Sequence, residues 1–279
     1  MKNKRSKTAL SLTYAFLVFV AAVDLIPFFW MILSSFKPLA EIFVFPPKLL
    51  PSAWAFSNYR SAWRAGGLNF TRMFGNSMLV AIPFTLGCIV TSSLAAFSFA
   101  RIRFRGSELV FMCLIASMMI PVSVTMIPTF LLFRNLRLID TLYPLIARGF
   151  FGQAFVIFLM RQFYMTLPKE LDDAAFVDGY SRLRIWWKII MPLSKPILAT
   201  VIIFVFQQVY NDFQNPLIYI NSTAKFTVQL GLASFRGLYA TRYDLLMAAS
   251  VFTLVPILVL YLSAQKYFVE GIAMTGLKG

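Results

Sequence analysis

The chain has 279 residues, of which 59% are hydrophobic and only 13% are charged. Soluble globular domains are about 45–50% apolar and about 25% charged, so a water-soluble fold of this size would leave too much apolar surface exposed. The net charge is +15, from 26 basic and 11 acidic residues, but the basic residues lie in short stretches between long apolar segments. This arrangement favours loops beside anionic lipid headgroups over a nucleic-acid-binding surface.

The residue types that hold metals or activate nucleophiles are scarce. Histidine is absent, which excludes His-dependent catalytic triads and zinc sites of the HExxH type. The two cysteines, Cys88 and Cys113, lie inside apolar segments and are typical of small buried hydrophobes rather than of a disulfide or a metal site. We therefore expect this chain to bind no metal and no cofactor.

Six segments are long and apolar enough to cross a membrane, which takes about 20 residues per helix. The sequence thus predicts an all-α membrane protein with six transmembrane helices, at Ala9–Leu33, Met73–Ala100, Leu109–Phe133, Leu142–Met160, Pro196–Tyr219 and Leu245–Gln265. The basic start followed by an apolar run resembles a secretory signal. Since further hydrophobic chain follows at once, we expect an uncleaved first helix.

The distribution of basic residues predicts the orientation of these spans, because Lys and Arg concentrate on the cytoplasmic side. They cluster at the N-terminus and in the connections after the second and fourth spans; the most telling are Lys2, Lys4, Arg5, Lys7, Arg101, Arg103 and Arg105. With six spans, both termini then lie in the cytoplasm. We expect an N-terminal segment at 1–8, one permease domain at 9–268 and a cytoplasmic tail at 269–279.

The connection at 165–195 is too long for a plain turn, and its pattern predicts two short helices. Pro168 suits a first helical turn, and Gly179 ends that helix. Ser181 caps a second helix that Pro192 ends, with one apolar stripe at Leu183, Trp186, Trp187 and Ile190. Periodicity alone allows two interpretations, an amphipathic helix on lipid headgroups or a docking element for a cytosolic partner.

The same connection resembles the cytoplasmic loop of importer-type ATP-binding-cassette (ABC) permeases. In that family the pattern is EAA, three residues, Gly, nine residues and then I-x-L-P. Here Asp173-Ala174-Ala175 is followed at the same spacing by Gly179 and by Ile189-Ile190-Met191-Pro192. Asp173 replaces the family's Glu, and Met191 replaces its Leu. Both replacements keep the charge or the apolar character.

Further short motifs extend the resemblance over nearly the whole chain and narrow it to the maltose-type sugar permeases. Each is weak alone, but together they occur in the family's order and spacing: Asn58-Tyr59, Asn76-Ser77, Ala100-Arg101 with Phe104-Arg105-Gly106, Pro216-Leu217-Ile218, Met247-Ala248-Ala249, Gln265–Gly271 and Gly276–Gly279.

The resemblance implies a type I ABC importer transmembrane domain in a bacterial or archaeal cytoplasmic membrane. It implies a cytoplasmic coupling helix that seats on an ATPase dimer, with the contact made by Glu170, Asp173, Ala174, Ala175, Gly179, Ile189 and Pro192. It also implies two other partners, a second related permease and an extracytoplasmic sugar-binding protein, which is expected near Leu232–Tyr243. ATP and Mg²⁺ would be held by the ATPase, since this chain has no G-x-x-x-x-G-K-[ST] phosphate loop.

A polar and aromatic cluster in the fifth predicted span suits sugar recognition, because hydroxyls need donors and acceptors and sugar rings stack on aromatic faces. Its members are Gln207, Gln208, Tyr210, Asn211 and Asp212. Hydrogen bonding between helices is the alternative interpretation. Two other functions compete with the importer subunit: a self-sufficient secondary transporter or channel, and a membrane enzyme, which the lack of histidine disfavours.

Overall fold

The computed structural model describes residues 7–64, 69–236 and 241–276, with side chains for 9–64, 69–236 and 241–266. Within these ranges the chain is helical and forms no strands. The helices are α1 Lys7–Ser35, α2 Leu39–Ile42, α3 Ser57–Arg64, α4 Phe70–Arg101, α5 Ser107–Ser117, α6 Val122–Asn135, α7 Tyr143–Ala147, α8 Ala154–Thr166, α9 Glu170–Val177, α10 Arg182–Ile185, α11 Met191–Leu193, α12 Lys195–Tyr210, α13 Gln214–Tyr219, α14 Val228–Ala233 and α15 Tyr243–Gly276.

Six membrane-crossing elements fit these helices, as the sequence predicts. Four stretches of the described chain are long and apolar enough to span a bilayer on their own: Ala9–Ser35, Phe70–Arg101, Tyr143–Thr166 and Tyr243–Lys266. Two further elements are helix pairs with a sharp bend, Ser107–Ser117 with Val122–Asn135 and Arg182–Leu193 with Lys195–Tyr210. Counting each bent pair as one span brings the number of candidate spans in the described chain from four to six.

The third predicted span, Leu109–Phe133, is not one continuous helix. Helices α5 and α6 meet at a 96° bend between Ser117 and Val122. Pro121 lies at this break with an extended ψ of 137°. Proline lacks the N–H that would continue the helix and disfavours helical geometry in the residue before it, so the chain turns here.

The fourth and fifth predicted spans are also interrupted. Between α7 and α8 the chain passes through a 3-10 turn at Arg148–Phe151 and then through Gly152, whose φ is +73°. The fifth span, predicted over Pro196–Tyr219, ends its first helix at Tyr210 and restarts as α13 at Gln214. Irregular backbone of this kind is tolerated at membrane depth where it is buried in protein or lines a polar cavity.

Two compact units are present, one formed by Met1–Asn69 with Leu232–Leu254 and the other by Phe70–Gly231 with Val255–Gly279. In the first unit, the Asn58 side-chain amide donates to the carbonyls of Ser35 (3.0 Å) and Lys37 (2.8 Å), and Tyr59 Oη lies 2.7 Å from Ser35 Oγ. The Asn58-Tyr59 motif therefore ties α3 to the end of α1.

The second unit is organised around α4, against which α8 and α12 pack through a continuous buried cluster. Small side chains on α4 allow this close packing, and Ala96, Ser92 and Cys88 are fully buried. One close approach is at Gly149, where a Cβ would lie 2.5 Å from the carbonyl oxygen of Phe84. The turn at Arg148–Phe151 is thus held directly against the backbone of α4.

The Asn76-Ser77 motif at the start of α4 holds the segment after α13. The Asn76 amide donates to the carbonyls of Ala224 (3.1 Å) and Phe226 (3.0 Å), and the Val228 N–H donates to Ser77 Oγ (2.9 Å). Asp140 fixes the same segment from the α6–α7 connection. The Asp140 carboxylate accepts the Ser222 hydroxyl and the N–H groups of Ser222 and Asn221. These hydrogen bonds, above all the one from the Ser222 hydroxyl, hold the pKa of Asp140 below its ordinary value.

Some expectations concern residues that lie outside the described part of the chain. These are Lys2, Lys4 and Arg5 of the N-terminal cluster, residues 237–240 of the expected binding-protein contact, and the last three residues of the tail. Helix α15 continues to Gly276, so the boundary expected at 268 falls inside a helix. The domain division remains a prediction.

Candidate functional site: a coupling loop and a polar cavity

Helix α9 occupies the first part of the connection that resembles the coupling loop. Three acidic residues lie in its first turn, where negative charge stabilises the positive end of the helix. Its C-terminus is a Schellman motif: Gly179 N–H donates to the Phe176 carbonyl (3.0 Å) and Tyr180 N–H to the Ala175 carbonyl (2.9 Å). Gly179 has a φ of +77°, and a Cβ there would meet nothing within 4 Å. The backbone conformation therefore explains this glycine within the chain.

The residues of the EAA-like motif divide between surface and core. Glu170, Asp173 and Ala174 are exposed. Ala175 is only 4% exposed and belongs to the core cluster around α4 and α8. Because Ala175 packs inside the chain, it seats the helix on the bundle, and the exposed small residues of the motif are Ala174 and Gly179.

The second loop helix differs from its predicted form. Ser181 caps it as expected, accepting the Arg184 N–H at 3.4 Å. A π turn at Trp186–Ile190 then adds one residue to a helical turn, which shifts the buried face. Of the predicted apolar stripe, Trp186 and Ile190 are buried within the chain, but Leu183 is 67% exposed and Trp187 57% exposed. Pro192 does not end the helix as predicted, because the wider π turn before it leaves room for the proline ring. The helix ends one residue later, at Leu193.

A buried ion pair joins α9 to α4, and sequence reasoning missed it. Arg101 Nε lies 3.5 Å from Asp172 Oδ2, with side chains 3% and 12% exposed. Arg101 Nη2 also donates to the carbonyl of Leu167 (3.0 Å), just before α9. Burial raises the pKa of Asp172, Arg101 opposes the shift, and neighbouring Asp173 adds to it. The sequence offered one signal for this pair. Arg101 directly follows a span without charges, and the acidic Asp172 lies on the loop.

A cavity of about 190 Å³ lies where the interrupted helices meet. Two members of the predicted cluster, Gln208 and Asp212, line it. Its other polar lining residues come from four further parts of the second unit: Ser77, Arg148, Gln153, Asn215 and Thr227. The cavity therefore assembles donors and acceptors at the breaks in the fourth and fifth spans, and the apolar Val122 lines it at the break in the third.

Asn215 connects the two charged residues of the cavity. Arg148 Nη1 donates to Asn215 Oδ1 at 2.6 Å, and Asn215 Nδ2 donates to Asp212 Oδ2, also at 2.6 Å. The Asn215 N–H reaches Asp212 Oδ1 at 3.1 Å, so this carboxylate also caps the start of α13. Such an array presents donors and acceptors suited to a polyhydroxylated ligand.

The remaining members of the predicted cluster do not line this cavity. Tyr210 is buried and stacks on Phe206, with ring centroids 5.6 Å apart. Asn211 Oδ1 accepts from Gln229 Nε2 at 3.0 Å, and Gln207 is exposed. The sequence shows that polar residues cluster in the fifth span, but it does not show which of their side chains turn towards the cavity.

Comparison with known proteins identifies a family that this sequence matches. Residues 88–273 match the family described as binding-protein-dependent transport system inner membrane component. Over the full length of both chains, the sequence is 34% identical to the arabinooligosaccharides transport system permease protein AraQ of Halalkalibacterium halodurans. It is 33% identical to the sn-glycerol-3-phosphate transport system permease protein UgpE of Salmonella typhimurium, covering 98% of each chain.

The fold is shared with a solved transporter. A chain of a bacterial ABC transporter involved in the import of the acidic polysaccharide alginate superposes with a TM-score of 0.81 at 24% identity, covering 95% of this chain and 98% of that chain. The family match supports the importer interpretation over the secondary-transporter alternative. The chain belongs to the family of inner membrane components of binding-protein-dependent transport systems, and it is a transport subunit.

Proposed function

We propose that the chain is one permease subunit of an ATP-driven importer for sugars or oligosaccharides. The relatives named above transport arabinooligosaccharides and sn-glycerol-3-phosphate, which are polyhydroxylated compounds. The cavity holding Arg148, Asn215 and Asp212 offers matching groups and serves as this chain's part of the translocation pathway. Asp212 and Gln208 are the members of the predicted polar cluster placed to contact the substrate there.

The observation that carries the coupling proposal is the buried Arg101–Asp172 pair. Glu170, Asp173 and Ala174 remain exposed on α9 for a cytosolic ATPase dimer, with Gly179 at its end. Movement of α9 is passed to α4 through the ion pair and through Ala175 in the core. Ile189 packs against the same core, whereas Pro192 is exposed. These two support the loop, and only Pro192 is available to a partner.

Three further elements complete the proposal. ATP and Mg²⁺ are bound by the ATPase, a second related permease completes the pathway, and an extracytoplasmic binding protein delivers the sugar. Both termini and α9 lie on the cytoplasmic side, in accordance with the basic segments around Arg101 and at the N-terminus. Lipid surrounds the exposed apolar faces of α1 and α15.

Reconstitution of the complete importer tests this function. Purified permeases, ATPase and binding protein in proteoliposomes should hydrolyse ATP faster when the binding protein carries an arabinooligosaccharide. Sugar should enter the vesicles only when ATP is supplied on the ATPase side. Sugar uptake driven by an ion gradient, with this chain alone in the membrane, would contradict the proposal and favour a secondary transporter.

A further inference from the structure

A second cavity, of about 640 Å³, lies between the end of α4 and the coupling loop. Four basic side chains line it, Arg101, Arg103, Lys169 and Arg182, together with the carboxylates of Asp172 and Asp173. The lining residues come from the end of α4, the connection to α5, and both helices of the loop. The cavity therefore carries an excess of positive charge.

Three of the four basic groups of this cavity have no counter-charge among the described residues. Asp172 pairs with Arg101, but Arg101 Nε is buried and makes no hydrogen bond. Among the described side chains, Arg103, Lys169 and Arg182 form no ion pair. A multivalent acceptor such as a phosphate group would satisfy these donors, because Arg and phosphate form charge-assisted hydrogen bonds.

The same cavity has an apolar portion that a free anion does not require. Phe99, Ile102, Phe104 and Phe176 line it beside the basic groups. Phe99 and Phe104 are in contact, with ring centroids 6.0 Å apart. On the adjoining loop helix Trp187 is 57% exposed, and exposed tryptophans next to basic residues are typical of the membrane–water interface. Basic and apolar linings together fit an amphiphile.

We propose that this cavity binds the headgroup of an anionic phospholipid, with its phosphate among Arg103, Lys169 and Arg182 and its glycerol and upper acyl chain along Phe99 and Phe104. The bound lipid would brace α4 against the coupling loop at the inner membrane surface. The inference depends on the cytoplasmic position of the loop and not on the substrate, so a failure here leaves the transport proposal untouched.

The test is lipid retention by the complete importer in nanodiscs of phosphatidylglycerol and phosphatidylcholine in equal parts. The variant Arg103→Gln/Arg182→Gln removes two lining charges. The matched control Arg105→Gln/Arg184→Gln removes two neighbouring arginines that do not line the cavity. Each basic side chain near an anionic surface strengthens binding by about fivefold. The lining variant should therefore retain phosphatidylglycerol about thirtyfold more weakly, while the control keeps it.

Two further arms make the result decisive. Arg103→Lys/Arg182→Lys keeps both charges and should retain the lipid, which distinguishes loss of binding from loss of folding. In the second arm, inorganic phosphate is added as a competitor of the bound lipid. Equal loss in the lining variant and its matched control would overturn the proposal. Displacement of phosphatidylglycerol by inorganic phosphate at millimolar concentration would overturn it as well and indicate a free-anion site.

Discussion

Two charged sites of the second compact unit, the Arg101–Asp172 pair and the cavity with Arg148 and Asp212, hold their charges in different ways. Arg101 and Asp172 are both buried and lie 3.5 Å apart, so each depends on the other. Arg148 is exposed, Asp212 is half-buried, and Asn215 joins them without a direct ion pair. The first arrangement suits a mechanical joint between two helices. The second leaves donors and acceptors available for a ligand.

Breaking the buried joint should produce the largest effect. Asp172→Ala leaves Arg101, which is 3% exposed, without its counter-charge, and such losses cost about 3–5 kcal/mol. We expect a clearly lower thermal midpoint of the purified importer and little sugar uptake. Glu170→Ala, at an exposed position of the same helix, should change the stability by about 0.5 kcal/mol or less.

The double variant Arg101→Met/Asp172→Leu sharpens this prediction. Well-packed apolar residues often replace a buried ion pair without loss of stability. The double variant should therefore recover much of the thermal midpoint lost in Asp172→Ala. Equal destabilisation by Asp172→Ala and Glu170→Ala would show that the Arg101–Asp172 pair is not a structural joint.

Reversing an exposed charge on α9 should separate docking from folding. Asp173→Lys should leave the thermal midpoint nearly unchanged, because Asp173 is exposed. It should reduce co-purification of the ATPase about tenfold or more, since a hydrogen bond to a charged group contributes about 1.5–3 kcal/mol. Glu108→Lys makes the same charge change on α5, where the side chain is 74% exposed, and should retain the ATPase. Full retention of the ATPase by Asp173→Lys would argue against the docking role of α9.

Changes in the cavity should reduce transport without affecting assembly. Arg148→Gln and Asp212→Asn each remove a charged group that lines it, and we expect import from saturated binding protein to slow about fivefold. The ATPase should co-purify normally. Gln207→Ala, beside the cavity residues in sequence but outside the lining, is the matched control. Slowing by Gln207→Ala as large as by Asp212→Asn would contradict the assignment of the cavity.

The last prediction concerns the end of α9. Gly179→Ala places a side chain at a φ of +77°, which costs about 1–2 kcal/mol, whereas asparagine tolerates this conformation better. Thermal midpoints should therefore fall in the order glycine, asparagine, alanine. If Gly179→Asn keeps its stability but loses uptake, the glycine is also needed for close approach of the partner.

The coupling loop could be predicted from sequence because its signals are local. Gly179, Ser181 and the acidic first turn of α9 act through backbone geometry within a few residues. The π turn at Trp186–Ile190 could not be predicted, since helical periodicity assumes a constant turn. Leu183, which precedes this turn, and Trp187 within it are both exposed.

The cavity and the ion pair could be predicted only in part because they depend on contacts distant in sequence. Arg148 and Asn215 are 67 residues apart. Polarity in span five indicated Gln208 and Asp212, but the break at Asn211–Phe213 decides which polar side chains turn inward. In the sequence, Arg101 indicated only which side of the membrane the loop lies on. Its burial against Asp172 depends on the packing of α9 on α4, which the sequence does not show.

Cross-linking from α9 tests the central claim most directly. In a background with Cys88→Ser and Cys113→Ser, which removes both free thiols, Asp173→Cys supplies a single exposed thiol on α9. In inside-out membrane vesicles of the assembled importer, a short bifunctional reagent should join this thiol to the ATPase, and nucleotide should change the yield. Labelling of the thiol only from the extracytoplasmic side, or cross-links to no ATPase, would contradict the account.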